Sequence, residues 1–224
     1  MATLGQNAIQ LVFTVVFTRL LGGAGYGSLA ALVSAFLVLM VGGQALQVAV
    51  ARETALGGLG QGPALAATLG AWTRRIALGT VAAAAVGWLA REPLAHLVGV
   101  PDHPVAAAAI LPTGALWLLL SVQRGALQGI HAFAPVGASL VLEALGRLAC
   151  GLALVGAGAD VTGAYLATPL SLALTAVALA VVLQHRLGHR TGAAASTLGA
   201  LLRGAGVPIA ALGLLALLLR RRRR

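Results

Sequence analysis

Long apolar runs, punctuated by single arginines or short acidic clusters, set the rhythm of this chain. A transmembrane helix needs about 20 mostly apolar residues, and six runs meet or approach that length. Residues 2–18 form the first and end at Arg19. This run lacks a basic n-region and a small-residue cleavage site, so it reads as a retained span and not as a signal peptide. Residues 28–51 form the second and carry no charge. Between Arg52 and Arg75, Gly57, Gly58, Gly60, Gly62 and Pro63 predict a loop running into an interfacial helix turn. The third span, 76–90, is short and borrows Trp72, Thr73 and snorkelling arginine stems. A turn-rich loop with Glu92, Pro93, Pro101, Asp102 and His103 fills 91–104. Span four is 104–123, with a kink predicted at Pro112. Span five, 136–157, carries Glu143 and Arg147 inside it, and span six, 161–184, contains Pro169.

Beyond these spans, residues 185–203 turn polar and small and read as a cytoplasmic linker. Residues 204–219 are apolar again, but as a helix they reach only about 24 Å against a hydrocarbon core of about 30 Å. The expected fold class is therefore all-α, a polytopic membrane bundle of six transmembrane helices plus an incomplete seventh. The expected organisation is a six-span lobe over 1–184, the linker over 185–203, and the shortened seventh span with its arginine tail over 204–224.

Composition agrees with the pattern. The 224 residues are 59% hydrophobic and 9% charged, with a mean hydropathy of +0.96; a soluble domain is about 25% charged because water must wet its surface. The formal net charge of +10 does not mark a nucleic-acid binder, because Arg220 to Arg224 supply half of it in one terminal run. The remaining arginines stand singly or in pairs between spans, which is how topology is encoded and not how a phosphate-tracking groove is built. With the N-terminus in the cytoplasm, the inner loops hold Arg52, Arg74, Arg75, Arg124, Arg186, Arg190 and Arg203, while the outer loops hold only Arg19 and Arg91. That bias predicts a multi-pass protein of the cytoplasmic membrane with both termini inside.

Within the spans, polar residues recur at helical spacing. Asn7, Gln10, Thr14 and Thr18 share one face of span one, and Gln44 and Gln47 share another at the end of span two. Trp117, Ser121, Arg124, Gln128 and His131 form the longest polar face, around the end of span four. Ser139, Glu143 and Arg147 stand four apart in span five, with the acid N-terminal to the base, the favourable order for an intrahelical pair. An ionised residue at the bilayer centre costs about 2.5–3.5 kcal/mol on insertion scales, so these two need a partner, a watery cavity or both. His185 and His189 have zinc-compatible spacing but no carboxylate or thiol beside them. Gly125 and Gly129 form a GxxxG packing motif. Cys150 stands alone, so neither a disulfide nor a CxxC site can be drawn, and no phosphate-binding loop or catalytic triad is recognisable. No metal, no cofactor and no enzymatic activity are expected.

Three stretches resemble the lipid-linked oligosaccharide and polysaccharide flippases of the multidrug/oligosaccharidyl-lipid/polysaccharide exporter superfamily. They are TRLLGGAGYGSLAAL at 18–32, RGALQGIHAF at 124–133, and LVLEALGRL at 140–148 followed by VTGAYLATPL at 161–170. The resemblance implies an all-helical transporter of two six-helix lobes around a central cavity, of which this chain would be the N-terminal lobe. It implies a lipid-linked saccharide as substrate, with Arg19 and Arg124 meeting its headgroup, because an arginine's planar fork gives paired charged hydrogen bonds to phosphate. Gln128, Glu143, Arg147, Gln44, Gln47, Asn7 and Gln10 complete the expected cavity set. The partners expected are that substrate, membrane lipids, and a second lobe from another copy of the chain or from a partner chain; nucleic acid is not among them. Two other readings stand beside this one: a cation-coupled multidrug exporter of the same superfamily, with Glu143 as the coupling acid, and a non-transporting remnant or scaffold.

Overall fold

The computed structural model describes residues 2–188, which form seven helices and no strand. These are α1 (Ala2–Ala55), α2 (Pro63–Leu89), α3 (Arg91–Val98), α4 (Pro104–Ala108), α5 (Ile110–Gly129), α6 (Phe133–Gly156) and α7 (Asp160–Leu187). The expected all-α membrane bundle is what forms. Helix α1, the joined α4–α5 segment, α6 and α7 are each long and apolar enough to cross a bilayer. Of the expected linker, residues 185–187 belong to α7 and Gly188 caps it; residues 189–203 and the seventh span lie outside the described residues.

Helix α1 is 54 residues long, about 80 Å at 1.5 Å per residue and far more than one bilayer crossing requires. It is broken at Gly22, whose φ of 69° and ψ of −179° fall in a region open essentially to glycine alone. The two arms pack in different directions. In the first arm, Gly5 lies beside Val141 and Phe17 beside Gly151, so this arm runs parallel to α6. In the second, Leu39 lies beside Gly114 and Thr54 beside Gly129, so this arm runs parallel to α5. Helices α5 and α6 are themselves antiparallel: Gln123 bonds Ala176 of α7 while Thr113 lies a matching distance back near Tyr165, and α6 meets α7 in the opposite sense, Gly146 near Ser171 and Ser139 beside Thr175. The two arms therefore run in opposite directions, and the connection expected between spans one and two shrinks to a reversal at a single residue.

Other boundaries also move. The loop expected over 52–75 is confined to a tight turn, because Gly57, Gly60 and Gly62 all take positive φ and Pro63 opens α2 at its first position. A proline suits that place, since its missing N–H would have no helical partner there. Arg74 and Arg75 consequently lie within α2, both exposed. The expected loop over 91–104 holds the short helix α3, closed by left-handed Gly99, and the start of α4. The kink expected at Pro112 falls three residues before it. The chain bends at Ala109, and Pro112 sits in the first turn of α5, where its lost hydrogen bond would have gone to Ala108. The carbonyl of Ala108 instead presses against Gly87 of α2, where no side chain fits.

Helix α5 is the centre of the bundle, with 61% of its apolar window buried against 17% for α6. In hydrocarbon, helices gain little from burying apolar surface against one another, so close backbone approach and hydrogen bonds decide the packing. The seam between α5 and the second arm of α1 is built that way. A Cβ added at Gly125 would lie 2.5 Å from the Gln47 carbonyl oxygen and 2.9 Å from Val50. One at Gly129 would strike Thr54 and the Ala51 carbonyl, and one at Gly43 would strike Trp117. The GxxxG pair thus lies in a helix crossing. Across the same seam the Trp117 indole N–H donates to the Met40 carbonyl at 3.2 Å, and Gln47 donates to Gln128 at 3.2 Å.

Gly125→Val should lower stability by about 1–3 kcal/mol through overpacking. Gly79→Ala, on α2 where the added methyl meets nothing within 4 Å, should raise helix stability by up to about 1 kcal/mol. Thermal unfolding of both variants in detergent reads the contrast, and an unchanged midpoint for Gly125→Val would remove the seam from its role.

Candidate functional site

Three ionisable side chains within the apolar helices α5 and α6 gather together. Arg124 immediately precedes Gly125 at the edge of the face by which α5 meets α1, and its side chain reaches across to α6. Its side chain is only 2% exposed. Its Nε–H donates to the Ser139 hydroxyl at 2.9 Å, and Nη2 donates to the Glu143 carboxylate at 2.8 Å and to the Ser139 carbonyl at 3.3 Å. Ser139 in turn donates its hydroxyl proton to the Val136 carbonyl at 2.7 Å. The guanidinium also stands 5.7 Å from the Trp117 ring centre, and Trp117 packs edge-on against Phe36. A buried charge is tolerable only when paired and hydrogen-bonded, and Arg124 meets both conditions.

The pairing differs from the expected one. Glu143 and Arg147 stand one turn apart on α6 but form no ion pair within 4 Å; Glu143 is taken by Arg124 of the neighbouring helix. A bond across helices satisfies the carboxylate with a charge that is itself fully buried, and the intrahelical alternative would leave Arg124 without an anion. Arg147 is thereby released. Its guanidinium lies 5.1 Å from the Phe13 ring centre in the first arm of α1, and its buried Nε–H has no acceptor. Two arginines thus share one carboxylate, which bonds Arg124 directly and acts on Arg147 only through space.

The remaining expected residues divide into two groups. Gln47 and Gln128 come together across the α1–α5 seam. Arg19, Asn7 and Gln44 are exposed and Gln10 is half-buried on α1, and none of the four makes a side-chain hydrogen bond or ion pair among the described residues. Arg19 stands just before the Gly22 reversal, well apart in sequence and helix from the Arg124 cluster. His131, expected on the same face as Arg124, lies past the end of α5 with a φ of 60° and is exposed. Sequence reasoning passed over Gln123. Its side chain is buried, its amide donates to the Ala176 carbonyl of α7 at 3.0 Å, and its Oε1 has no donor. The available signal was an amide beside Arg124 in an otherwise apolar helix. No group of three or more His, Cys, Asp or Glu side chains able to hold a metal exists among the described residues.

No family model and no curated protein matches the chain. Solved structures do match it. One is a multidrug resistance MATE-family transporter of the MOP superfamily in an outward-facing conformation, 17% identical with a TM-score of 0.67, over 93% of this chain and 50% of that one. Another is a MOP-superfamily transporter from Pyrococcus furiosus described as having a binding pocket of reversed polarity, 16% identical with a TM-score of 0.67, again over 93% and 50%. At such identities the likeness is one of fold, and the chain spans about half the length of these transporters. The chain is a multi-pass membrane protein whose bundle has the fold found in half of a MOP-superfamily transporter.

Proposed function

We propose that this chain is the N-terminal lobe of a flippase that carries a lipid-linked saccharide across the cytoplasmic membrane. The observation that supports the reading is the charge imbalance between α5 and α6: Arg124 consumes the one carboxylate, and Arg147 keeps a buried Nε–H with no acceptor. A guanidinium inside an apolar helix that has no hydrogen-bonded anion of its own favours an anionic cargo, and a lipid-linked sugar phosphate supplies several acceptor oxygens. Arg124, Glu143 and Ser139 then act as the brace that orients α6, and Arg147 meets the headgroup. Asn7, Gln10, Arg19 and Gln44 offer polar contacts along α1, Gln47 and Gln128 hold the seam behind them, and a second lobe closes the cavity.

A cation-coupled multidrug exporter is the second reading, favoured by the fold likeness to a transporter described as one of multidrug resistance. It asks Glu143 to bind and release a cation. Its carboxylate already accepts from Arg124 at 2.8 Å, which weighs against that use.

Two measurements follow. Glu143→Gln leaves Arg124 buried without a counter-charge and should cost about 3–5 kcal/mol of stability, whereas the double variant Arg124→Leu, Glu143→Leu should recover most of it. Thermal unfolding of the three proteins checks this, and equal midpoints would contradict the brace. In proteoliposomes of the assembled transporter, Arg147→Gln should slow translocation of a lipid-linked sugar diphosphate about tenfold or more, since a hydrogen bond to a charged group contributes about 1.5–3 kcal/mol. Translocation at the parent rate, or robust export of a cationic dye that Glu143→Gln abolishes, would overturn the flippase reading in favour of the exporter.

A further inference from the structure

A second polar feature lies away from the arginine cluster, where α2, α5 and α7 leave an open-mouthed notch of about 30 Å³ between them. Gln123 of α5 lines it and is 2% exposed. The orientation of this amide is fixed. The Ala176 carbonyl that it touches at 3.0 Å can only accept, so the nitrogen lies there and Oε1 points elsewhere. Oε1 is buried and has no donor. A buried acceptor in that condition keeps its desolvation penalty in full until something donates to it.

Two more polar side chains line the same notch. On α2, Thr68 and Thr80 return their hydroxyls to the carbonyls one turn back; the half-buried Thr73 makes no such bond, and its hydroxyl has no partner among the described residues. Gln184 of α7 is exposed and makes no side-chain hydrogen bond among them either. The register of the helices sets their order. Helix α2 runs against α5 and α7, since Gly87 meets Ala108 while the earlier Thr73 shares the notch with Gln123. Thr73 and Ala180 therefore lie toward the Gln123 end, Gln184 lies a turn further out, and Leu187 lies where α7 finishes. The exposed His185 and Arg186 stand at that end of α7, the level at which a span passes from apolar to basic and water is at hand. Polar groups step from there inward to the buried oxygen.

Water suits this notch better than other ligands. A cavity must offer about 10–15 Å³ to hold one water, which then needs two to four polar partners. The notch meets both terms. An acyl chain would leave Oε1 unpaired, and no charged side chain lines the walls to hold an ion. We propose that the notch is a water-binding site: a resident water donates to Gln123 Oε1, accepts from the Thr73 hydroxyl and connects outward to Gln184. The bridge ties α2 to α5 and, through the Ala176 carbonyl, to α7. A bridge of this kind is nearly as favourable in enthalpy as a direct hydrogen bond. The site is separate from the cargo cluster, because Arg124, next in sequence, bonds α6 instead.

The test uses the purified full chain in lipid nanodiscs, given a short X-ray pulse in water enriched in oxygen-18. Radicals formed from a resident water oxidise the side chains beside it, including buried ones that bulk radicals do not reach. Leu69 and Leu183 line the notch and are buried, whereas Leu29 and Leu46 are buried elsewhere. Oxidation of Leu69 and Leu183 should exceed that of Leu29 and Leu46 several times over, and Gln123→Leu should bring it down to their level. Thr73→Val, which spares the Ala176 bond, should reduce it too, and reads the same bridge should the first variant not fold. In thermal unfolding, Thr73→Val should lower the midpoint by about 2–4 °C in the parent chain and by less than half as much in the Gln123→Leu background, because a bridge makes the two residues interdependent. Oxidation of Leu69 and Leu183 no higher than that of Leu29 and Leu46 would overturn the proposal, and coupling without oxidation would mark a direct bond between Thr73 and Gln123. Oxidation that survives both Gln123→Leu and Thr73→Val would overturn it as well, leaving only passing solvent in an open cleft. Neither result bears on cargo, because none of these residues belongs to the Arg124, Glu143 and Arg147 cluster.

Discussion

Everything in this bundle is organised by how closely α5 can approach the second arm of α1. Between helices in hydrocarbon the usual drive to bury apolar surface is nearly absent, so cohesion depends on dispersion contacts at short range and on hydrogen bonds with no water to compete. Gly43, Gly125 and Gly129 bring the two backbones within reach of each other, and the Trp117 and Gln47 bonds are made only at that separation. With α1 filling one side and held by Trp117 and Gln128, two further polar residues of α5 reach the neighbouring helices: Arg124 toward α6 and Gln123 toward α7. One steric constraint on one face thereby fixes where two buried polar groups point.

The electrostatics follow from that placement. Trp117 is anchored by the α1 backbone and lies beside the Arg124 guanidinium, which grips Ser139 and Glu143 of α6. The sequence of contacts runs from α1 through α5 to α6, although α5 and α6 share few other interactions. Helix α6 is otherwise the least enclosed of the long helices, and its hold on the bundle comes from α7, from the first arm of α1 and from this charged brace. Arg147, four residues beyond the acid, is left facing Phe13 and the first arm of α1, on the most loosely enclosed of the long helices.

Much of the architecture was legible from charges alone, because arginines and acids bound the apolar runs and a membrane helix tolerates few of them. The all-α class and the residues of the polar faces followed from that spacing. The start of α2 at Pro63 was obscured by Arg74 and Arg75, which look like a span boundary but lie inside a helix that extends beyond it. The reversal at Gly22 was hidden among Gly23, Gly25 and Gly27, since composition does not tell which glycine of several takes the positive φ. Most consequential was the partner of Glu143. Spacing along one helix proposes Arg147, whereas the choice of Arg124 depends on the rotation of α5, and that rotation is set by glycines contacting a third helix. The orphaned oxygen of Gln123 was illegible for the same reason, because it requires knowing what α7 offers at Ala176.

The single-residue reversal at Gly22 bears on how such a chain enters a bilayer. A conventional helical hairpin carries a hydrated loop that must be moved across or kept at the surface, and the polarity of that loop sets a barrier to insertion. Here the second arm begins directly after the glycine, so the turning point is only a few residues long, and Arg19 is the nearest charge in sequence. A turn so short leaves few backbone groups to desolvate when the two arms partition into the bilayer together. Depth of the tip is then governed by the arginine, whose long stem lets its charge reach the interface while the turn itself stays within the apolar layer.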